Sequence, residues 1–403
     1  MRYISYTLIF TLIVVVIFFV FKVAVNHREL VDYFDIKTSS NIEEDKQPSN
    51  TEPLLQNYPE IRQRTQSDDL KITITDGVRH IVPLNKIRSG GPPKDGIPSI
   101  DDPKFISVQK ASEFLEDNKL GIAVEKDGDW RFYPFQILVW HEIVNDVFKG
   151  ENILVTYCPL CQTGIVFVPE VEGEFVEFGT SGRLYNSNLV MYDRKTDSLW
   201  SQQGGRAIVG KLAGERLKIR SADNIFWSEF RKAHPEAEVL SRKTGVSRDY
   251  SSDPYGEYYT TKGTLFPLEN EDDRLFDKAI TYGLEVNGET KAYAEEAIKR
   301  DGLINDVFAD LNLVVVVEPI TQAVRFYNSS IYHPISSSLD GRLVVEFELR
   351  DDELFDTATG SKWSFDGEAL SGPLVGERLE RINPEFGFWF AWVAFNPKTH
   401  LYK

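Results

Sequence analysis

The sequence feature that most constrains the fold is an internal repeat with a period of about 160 residues. The segment 128–133 (Gly-Asp-Trp-Arg-Phe-Tyr) aligns with 288–293 (Gly-Glu-Thr-Lys-Ala-Tyr), and 143–148 (Ile-Val-Asn-Asp-Val-Phe) aligns with 303–308 (Leu-Ile-Asn-Asp-Val-Phe). Both pairs share one offset, since 288 − 128 = 160 and 303 − 143 = 160. Further matches follow in the same order: 193–201 with 356–364, 210–217 with 372–379, 226–227 with 388–389, and 234–235 with 396–397. Such self-similarity predicts one structural unit present twice.

Each copy has the same pattern of predicted elements. Short apolar strands meet at turns such as Asp127-Gly128, and a helix of about three turns is expected from Pro134, since proline suits the first helical position. Strands outnumber helices, without the regular alternation of parallel βαβ units. The sequence therefore predicts an α+β fold, mainly antiparallel β, with two tandem pseudo-equivalent repeats. Repeat A, the first half, covers 71–262; repeat B, the second half and a degenerate structural copy, covers 263–403.

The amino terminus predicts a membrane anchor. Residues 3–21 carry no charge, and about 20 apolar residues are needed to cross a bilayer. A cleaved signal peptide is the competing interpretation, but no Ala-x-Ala site follows the apolar run. We expect a transmembrane helix at 1–25 and a flexible linker at 26–70, whose polar composition lacks any period. The protein is then expected to be a single-pass membrane protein whose soluble domain is extracytoplasmic.

The charge of the chain argues against one class of partner. With 45 Lys and Arg against 62 Asp and Glu, the formal net charge is −17. An acidic protein is repelled by phosphate backbones, so nucleic acid is excluded as a partner. The membrane, reached through the predicted helix, is the partner that the sequence indicates.

The repeat also singles out a candidate site, because site residues can be present in one copy alone. The two cysteines of the chain, Cys158 and Cys161, form a Cys-Pro-Leu-Cys motif in the first half. The residues with soft or borderline metal-ligand side chains all change in the second half: Cys158 to Glu318, Cys161 to Thr321, His141 to Asp301, and Met191 to Leu354. Pro159 persists as Pro319. The turn is therefore predicted in both halves and the site only in the first.

Three interpretations of the Cys-Pro-Leu-Cys motif compete, and a copper or zinc site is the one that the sequence favours. A tight turn after a strand can point two thiolates at one metal ion. Two thiolates with His141 would suit zinc, and the thioether of Met191 would favour copper. Alternatively, the motif is a metal-free dithiol for thiol–disulfide exchange, with one depressed thiol pKa. A third interpretation is a structural disulfide in a non-catalytic binding or scaffold protein. A c-type haem is disfavoured, since Gln162 occupies the place of the histidine ligand.

The remaining site residues are assigned by their positions in predicted elements. His141 shares a helical stripe with Ile137, Val144 and Phe148, which is also typical of a core histidine. Met191 lies in a predicted strand, where packing is the alternative role. Glu142, beside His141, is a candidate acid or base or a support of the site from behind the ligands, but a solvent-facing glutamate is the favoured interpretation. Asp146, which follows Asn145, is a second such support, and this Asn-Asp pair is expected to cap or close a turn.

Several motifs together resemble a known family. They are Asp-Gly-Ile-Pro-Ser-Ile-Asp-Asp-Pro-Lys-Phe at 95–105, His-Glu-Ile-Val-Asn-Asp at 141–146, Tyr-Cys-Pro-Leu-Cys at 157–161, Ser-Gly-Arg-Leu-Tyr-Asn-Ser at 181–187 and Ser-Leu-Trp-Ser-Gln at 198–202. These resemble domain of unknown function 3179, a bacterial and archaeal family often found behind an export signal. The resemblance covers nearly all of the chain from about residue 75. Members usually read Cys-Pro-x-Cys-Gly, and Gln162 departs from that pattern.

Overall fold

The computed structural model describes residues 70–336 and 341–403, which form mainly antiparallel sheets with a few short helices. The prediction of a mainly antiparallel β protein is confirmed, and the fold is more strongly β-rich than expected. Within these two ranges, no helix is long and apolar enough to cross a membrane. The predicted anchor at 1–25, and the linker up to residue 69, lie outside the described residues.

The first half is built from short strands joined by tight turns. Its strands are β1 Thr73–Thr75, β2 Val78–His80, β3 Arg88–Ser89, β4 Phe105–Ser107, β5 Leu120–Lys126, β6 Asp129–Pro134, β7 Ile143–Phe148, β8 Glu151–Cys158, β9 Thr163–Val168, β10 Glu170–Val171, β11 Glu174–Phe175, β12 Phe178–Tyr185, β13 Asn188–Asp193, β14 Leu199–Ser201, β15 Arg206–Val209, β16 Lys218–Arg220, β17 Asp223–Phe226 and β18 Glu238–Leu240. Its α-helices are α1 Val108–Ala111, α2 Phe135–Leu138 and α3 Trp227–Ala233. Single 3₁₀ turns lie at Leu84–Lys86, Gln203–Gly205 and Gly256–Thr260.

The second half is likewise built from short strands and few helices. Its strands are β19 Ile280–Val286, β20 Glu289–Ala294, β21 Leu303–Phe308, β22 Leu311–Val317, β23 Val324–Asn328, β24 Ser330–Tyr332, β25 Arg342–Val344, β26 Phe347–Arg350, β27 Glu353–Asp356, β28 Lys362–Trp363, β29 Ala369–Ser371, β30 Glu380–Ile382, β31 Glu385–Phe388 and β32 His400–Tyr402. Its helices are α4 Glu295–Asp301 and α5 Trp389–Phe395.

The sheets of the two halves have corresponding strand orders. In the first half, neighbours run β16-β9-β8-β7, β17-β5-β6-β18-β4 and, within a larger sheet, β15-β14-β13-β12. In the second half they run β30-β23-β22-β21, β31-β19-β20-β32 and β29-β28-β27-β26. One matched pair in each half is parallel, namely β6–β18 in the first half and β20–β32 in the second. The other strand pairs named here are antiparallel.

One apolar core joins the halves. Buried residues of β8 and β9, such as Val155 and Val166, belong to the same cluster as Leu313 and Phe326 of β22 and β23. These central strands are apolar on both faces because each sheet is covered on both sides. The cysteines lie in a second cluster, described below, to which both halves also contribute.

Two local expectations about the region around His141 were wrong. The helix that starts after Pro134 ends at Leu138, and residues 143–148 form β7 instead of further helical turns. The chain reverses at Glu142, whose φ of 61° is incompatible with a continuing helix. Asn145 and Asp146 consequently lie within a strand and close no turn. Antiparallel pairing of β7 with β8 overrides the helical spacing of the apolar residues.

Candidate functional site

The two cysteines lie at the tip of a β-hairpin. Cys158 ends β8, Thr163 begins β9, and these two residues pair across the strands. The backbone N–H of Cys161 donates to the carbonyl of Cys158 at 3.2 Å, which closes a four-residue turn. Pro159 occupies the second turn position, where its fixed φ is favoured. The motif is therefore a strand-to-strand turn, without the helix that usually follows a redox Cys-x-x-Cys.

Both thiols are free and fully buried. The exposed fraction is 1% for Cys158 and 0% for Cys161, and no disulfide joins them. Their apolar cluster includes Met191 on β13, Trp200 on β14 and Phe388 on β31, so both halves enclose the sulfurs. The backbone N–H of Phe388 also donates to the carbonyl of Cys161 at 2.8 Å. The turn is thus held between the first half and the start of α5.

The thiol of Cys161 has polar neighbours from β12–β13. Its sulfur lies 3.2 Å from the carbonyl oxygen of Ser187, and the side-chain amide of Asn188 lies 3.6 Å from it as a donor. The sulfur of Cys158 is also within hydrogen-bond reach. A thiol has a single proton, so Cys161 can donate to Ser187 or to Cys158 at any one time. An ionised Cys158 would be the stronger acceptor, because hydrogen bonds to a charged group are stronger.

The surroundings of Cys158 favour its thiolate. Burial raises the pKa of Cys158, but hydrogen bonds from the Cys161 thiol and from the backbone N–H groups of Cys161, Leu189 and Leu160 outweigh burial. The pKa of Cys158 therefore lies below its ordinary value. Burial and the neighbouring Cys158 raise the pKa of Cys161 well above its ordinary value. The two thiols thus have opposite roles, with Cys158 as the acidic member and Cys161 as the donor.

The corresponding turn of the second half holds an acidic side chain at the same place. Glu318 stands at the position of Cys158, since 158 + 160 = 318. Its carboxylate accepts the backbone N–H of Ile320 at 3.1 Å and the backbone N–H of Thr321. These are the counterparts of the N–H groups of Leu160 and Cys161. In the first half these matched N–H groups are among the causes that lower the pKa of Cys158.

Both ring nitrogens of His141 already have partners. Nδ1 lies 2.8 Å from the carbonyl oxygen of Pro98, and Nε2 lies 2.7 Å from the hydroxyl of Tyr250. A carbonyl only accepts, so Nδ1 carries the proton and Nε2 accepts from Tyr250. Burial lowers the pKa of His141, with a smaller contribution from Arg248, and this favours the neutral ring. In this arrangement His141 fixes Tyr250 and the loop that contains Pro98.

Met191 and Asp146 have different relations to the thiols. Met191 is fully buried on β13 and belongs to the same apolar cluster as both cysteines. Asp146 accepts the hydroxyl of Tyr133 at 2.5 Å and the guanidinium of Arg131 at 2.8 Å. The structure therefore places Met191 in the apolar cluster that contains the thiols, and it places Asp146 in a separate polar group that joins β7 to β6.

Glu142 is held in an unusual backbone conformation next to β8. Its φ is 61°, and Gly302 has a φ of 69° at the matched position (142 + 160 = 302). The matched backbone bonds agree: Glu142 donates to Leu138 at 2.6 Å and accepts from Tyr157 at 2.7 Å, while Gly302 makes bonds of 2.8 and 2.9 Å to Ile298 and Val317. Left-handed backbone suits glycine and strains glutamate. Strain of this kind clusters at functional sites.

The carboxyl group of Glu142 responds electrostatically to Cys158. Its side chain is 7% exposed, and burial, followed by the charge on Cys158, raises its pKa well above the ordinary value. The raised pKa of Glu142 favours the carboxylic acid, a form that can exchange a proton with neighbouring groups. The interpretation of Glu142 as a solvent-facing side chain was wrong, because the residue is buried.

Tyrosines of the segment 241–272, which connects the two halves, cover the turn. The hydroxyl of Tyr258 donates to the carbonyl of Leu160 at 2.9 Å, and Tyr258 belongs to the same apolar cluster as the cysteines. Tyr255 and Tyr259 pack against that cluster from the same 3₁₀ turn. Burial, together with the cysteines, raises the pKa of Tyr255 and of Tyr258. The sequence showed a tyrosine-rich connector, but only the fold brings it about 100 residues back to the thiols.

The metal prediction can be compared with the ligands present. Within residues 70–336 and 341–403, no three His, Cys, Asp or Glu side chains are grouped so that they could hold one metal ion. Cys158, Cys161 and Met191 share one cluster, whereas His141 is engaged with Pro98 and Tyr250. This arrangement fits a set of three sulfur ligands from Cys158, Cys161 and Met191 better than a Cys/Cys/His set.

Comparison with known proteins identifies one related family. A family described as "Protein of unknown function (DUF3179)" matches residues 94–399. This range contains the cysteine turn, Glu142, and most of both halves. No curated protein matches the chain, and no solved structure matches it.

Proposed function

The chain belongs to the DUF3179 family, and we propose that it is a thiol–disulfide redox protein whose reactive centre is the Cys158–Cys161 dithiol. In this proposal Cys158 is the nucleophile, and Cys161 closes the intramolecular disulfide. Metal-free exchange is the interpretation that the described side chains favour, since both sulfurs are free and lie within reach of one another.

The observation that carries this proposal is the pair of backbone N–H groups shared by the two turns. In the second half they donate to the carboxylate of Glu318. In the first half the matched N–H groups of Leu160 and Cys161 are among the causes that lower the pKa of Cys158. A site that accepts a carboxylate is suited to a thiolate, because both are anionic hydrogen-bond acceptors. The thiolate is the reactive form of cysteine.

The proposed reaction is a balanced two-electron exchange. The Cys158 thiolate attacks a substrate disulfide, which forms a mixed disulfide and releases the first substrate thiolate. Cys161 loses its proton and attacks the sulfur of Cys158, which releases the second substrate thiolate and leaves a Cys158–Cys161 disulfide. The dithiol is oxidised and the substrate disulfide is reduced to two thiols. One proton comes from Cys161, and the second comes from solvent, which had taken up the proton of Cys158. The same steps in reverse would oxidise a substrate dithiol.

Glu142 and the tyrosine cover have defined roles in this scheme. The proton that Cys161 must lose passes to a released substrate thiolate, and we assign its relay to the carboxyl of Glu142, whose pKa responds to the charge of Cys158. Tyr258 closes the turn to solvent, so the substrate sulfur reaches Cys158 when the segment 255–260 moves away. The burial of both thiols then protects them between turnovers.

A redox titration of the full chain tests the proposal. We would equilibrate the detergent-solubilised protein in dithiothreitol and glutathione buffers, quench in acid, and count the free thiols by mass spectrometry. We expect both thiols to disappear in one two-electron transition, with a midpoint above about −300 mV, the region of labile disulfides. Thiols that stay free across the whole range, or a midpoint below that value, would contradict the proposal.

Matched variants assign the two sulfurs. Cys161→Thr introduces the residue found at position 321, and we expect Cys158 in this variant to accumulate a mixed disulfide with glutathione. Cys158→Ser leaves Cys161 alone, and we expect it to form little mixed disulfide under the same conditions. Equal trapping in both variants would contradict the assignment of Cys158 as the nucleophile.

A second candidate function is retained because Met191 shares the cluster of the two cysteines. Two thiolates and a thioether are soft ligands that suit copper(I), whereas zinc would need a further ligand such as His141, released from Tyr250. Elemental mass spectrometry of the purified chain distinguishes this function. Near-stoichiometric copper or zinc that is lost in Cys158→Ser, and weakened in Met191→Leu, would support it; an absence of bound metal after reconstitution would remove it.

The proposal also covers the architecture. The second half is a duplicated, structural copy of the first, supported by the matched strand orders and by the matched bonds at Glu142 and Gly302. A transmembrane anchor at 1–25 would place the dithiol outside the cytoplasm, where disulfide exchange is supported by the environment. Protease accessibility of the folded part in intact cells or spheroplasts tests that placement.

A further inference from the structure

A cavity of about 410 Å³ lies where the two halves meet, apart from the cysteine turn. The first half contributes Arg206 of β15 and Arg216, and the second half contributes Glu285 of β19 and Glu385 of β31. This volume is within the range of about 300–1,000 Å³ that is usual for small-molecule pockets. Such pockets are common at the boundary between two structural units.

Two arginines face one another at the cavity. Arg206 and Arg216 are paired across a short antiparallel bridge. Like charges directly opposite one another destabilise a sheet. Arg216 is compensated, because it donates to Glu285 at 3.0 Å and to the carbonyl of Gly204 at 2.8 Å. The positive charge of Arg206 is the one that needs a partner.

Arg206 has no carboxylate within 4.0 Å among residues 70–336 and 341–403, and its guanidinium donates at 3.2 Å to the carbonyl of Gly214. Burial, and then the charge of Arg216, lower the pKa of Arg206. A partly buried guanidinium with one neutral acceptor leaves several N–H donors for an anion, which a carboxylate can accept in a two-pronged geometry.

The corresponding bridge in the second half has the opposite charge pattern. Glu368 stands at the position of Arg206 (206 + 162 = 368), and Arg378 stands at that of Arg216 (216 + 162 = 378). These two residues form an ordinary surface ion pair at 2.6 Å. The bridge is thus compatible with a glutamate, and the first half replaces that glutamate with an arginine where the bridge borders the cavity.

Acidic and apolar groups complete the cavity. Glu385 is 9% exposed and accepts the side-chain amide of Gln203 at 2.6 Å and the N–H of Gly204 at 3.2 Å. Burial raises the pKa of Glu385 to about 7. Trp392 and Phe395 of α5 add aromatic surface to the lining. A ligand with two negative charges would be repelled by Glu285 and Glu385, so a single anionic group together with a cationic group fits this lining.

We propose that this cavity binds a small zwitterion of the amino-acid class. Its carboxylate pairs with Arg206, and its apolar side chain packs against Trp392 and Phe395. Its ammonium group faces Glu385, since Glu285 is already paired with Arg216, which lies 3.9 Å from Glu385. The ligand would bridge both halves, and its binding is independent of the dithiol chemistry.

Isothermal titration calorimetry with the full chain tests this proposal through a set of matched probes. L-Leucine carries both charges, 4-methylpentanoate lacks the ammonium group, 3-methylbutylamine lacks the carboxylate, and glycyl-L-leucine separates the two charges. We expect leucine to bind at least about tenfold more tightly than either singly charged analogue, since each lost ionic hydrogen bond leaves a partner unpaired. Binding of glycyl-leucine would extend the ligand class to short peptides, and its absence would restrict the class to free amino acids.

Variants of the two bridges provide the control. Arg206→Gln should weaken leucine binding at least about tenfold, while Arg378→Gln on the matched surface bridge should leave it unchanged. Arg206→Glu copies the second-half ion pair, so it should abolish binding while raising Tm by about 1–2 °C through removal of the like-charge pair. The proposal is overturned if no probe binds, if 4-methylpentanoate binds as tightly as leucine, or if Arg206→Gln binds leucine like the wild type.

Discussion

The two hairpin turns at 158–161 and 318–321 share a proline and the same pair of backbone donors, yet they hold different acceptors. Glu318 fills its turn with a carboxylate, and Cys158 fills the other with a sulfur whose pKa is lowered. Both turns therefore place a hydrogen-bond acceptor at this position, and either a carboxylate or a sulfur can fill that role. What distinguishes the first half is that its acceptor is a thiol, which we propose as a nucleophile, and that a second thiol follows at Cys161.

A second difference between the halves concerns backbone strain. Gly302 adopts a positive φ without a steric penalty, while Glu142 adopts nearly the same φ with a full side chain. Elsewhere the halves agree closely. Trp200 donates to Asp193 at 2.9 Å and Trp363 donates to Asp356 at 3.0 Å, and the Tyr133–Asp146 and Tyr293–Asp306 bonds are both 2.5 Å. Gly150 and Asp310 show the reverse exchange at matched positions, with φ values of 76° and 65°. The strain at Glu142 is informative because its carbonyl accepts the N–H of Tyr157, next to Cys158.

The largest effect on stability is expected at Asp223, a first-half residue that pairs with arginines of the second half. It is 2% exposed in its side chain and pairs with Arg325 at 3.3 Å and with Arg381. Asp223→Asn removes one carboxylate partner of the buried Arg325 and leaves Asp366 at 2.8 Å, so we expect a loss of about 2–3 kcal/mol in the free energy of unfolding at neutral pH. Urea denaturation followed by tryptophan fluorescence measures it.

The pH dependence of that loss provides its control. Burial raises the pKa of Asp223, but Arg381 and Arg325 outweigh burial and hold the pKa below the ordinary 3.8. A carboxyl with a lowered folded pKa stabilises the protein above its unfolded pKa, and this stabilisation is lost as pH falls through the folded pKa. The wild-type advantage over Asp223→Asn should therefore be full at neutral pH and narrow below about pH 4. A difference that does not depend on pH would contradict the ion-pair account.

A smaller effect is expected at Glu142. Glu142→Gly introduces the residue found at position 302, and relief of the left-handed strain together with loss of a buried carboxyl should stabilise the chain by about 1 kcal/mol. Glu142→Gln keeps the left-handed backbone strain, so its gain in the free energy of unfolding should be smaller. Denaturation curves of both variants, beside Gly302→Ala as the strained counterpart, measure the difference. A Glu142→Gly variant that is less stable than wild type would mean that the side chain has a structural role.

The sequence was sufficient for those features that depend on local pattern and on the repeat. The antiparallel strands and the turn at Pro159 follow from turn residues and from matched positions. The helix predicted through His141 failed because the spacing of Ile137, His141 and Val144 fits a helix, while pairing with β8 decides the actual structure. The roles of Tyr258 and Asn188 could not be predicted, since their contacts with the turn join residues that are distant in sequence.

The central claim is that the first half presents Cys158 as a thiolate and Cys161 as its protonated partner. The most direct test is pulse alkylation of the native full chain with iodoacetamide across a pH series, with each cysteine quantified by mass spectrometry. The account predicts that Cys158 is modified first, with a pH midpoint below that of an ordinary thiol, while Cys161 stays unmodified through the same range. Equal modification of both cysteines, or a Cys158 midpoint at or above the ordinary thiol value, would contradict it.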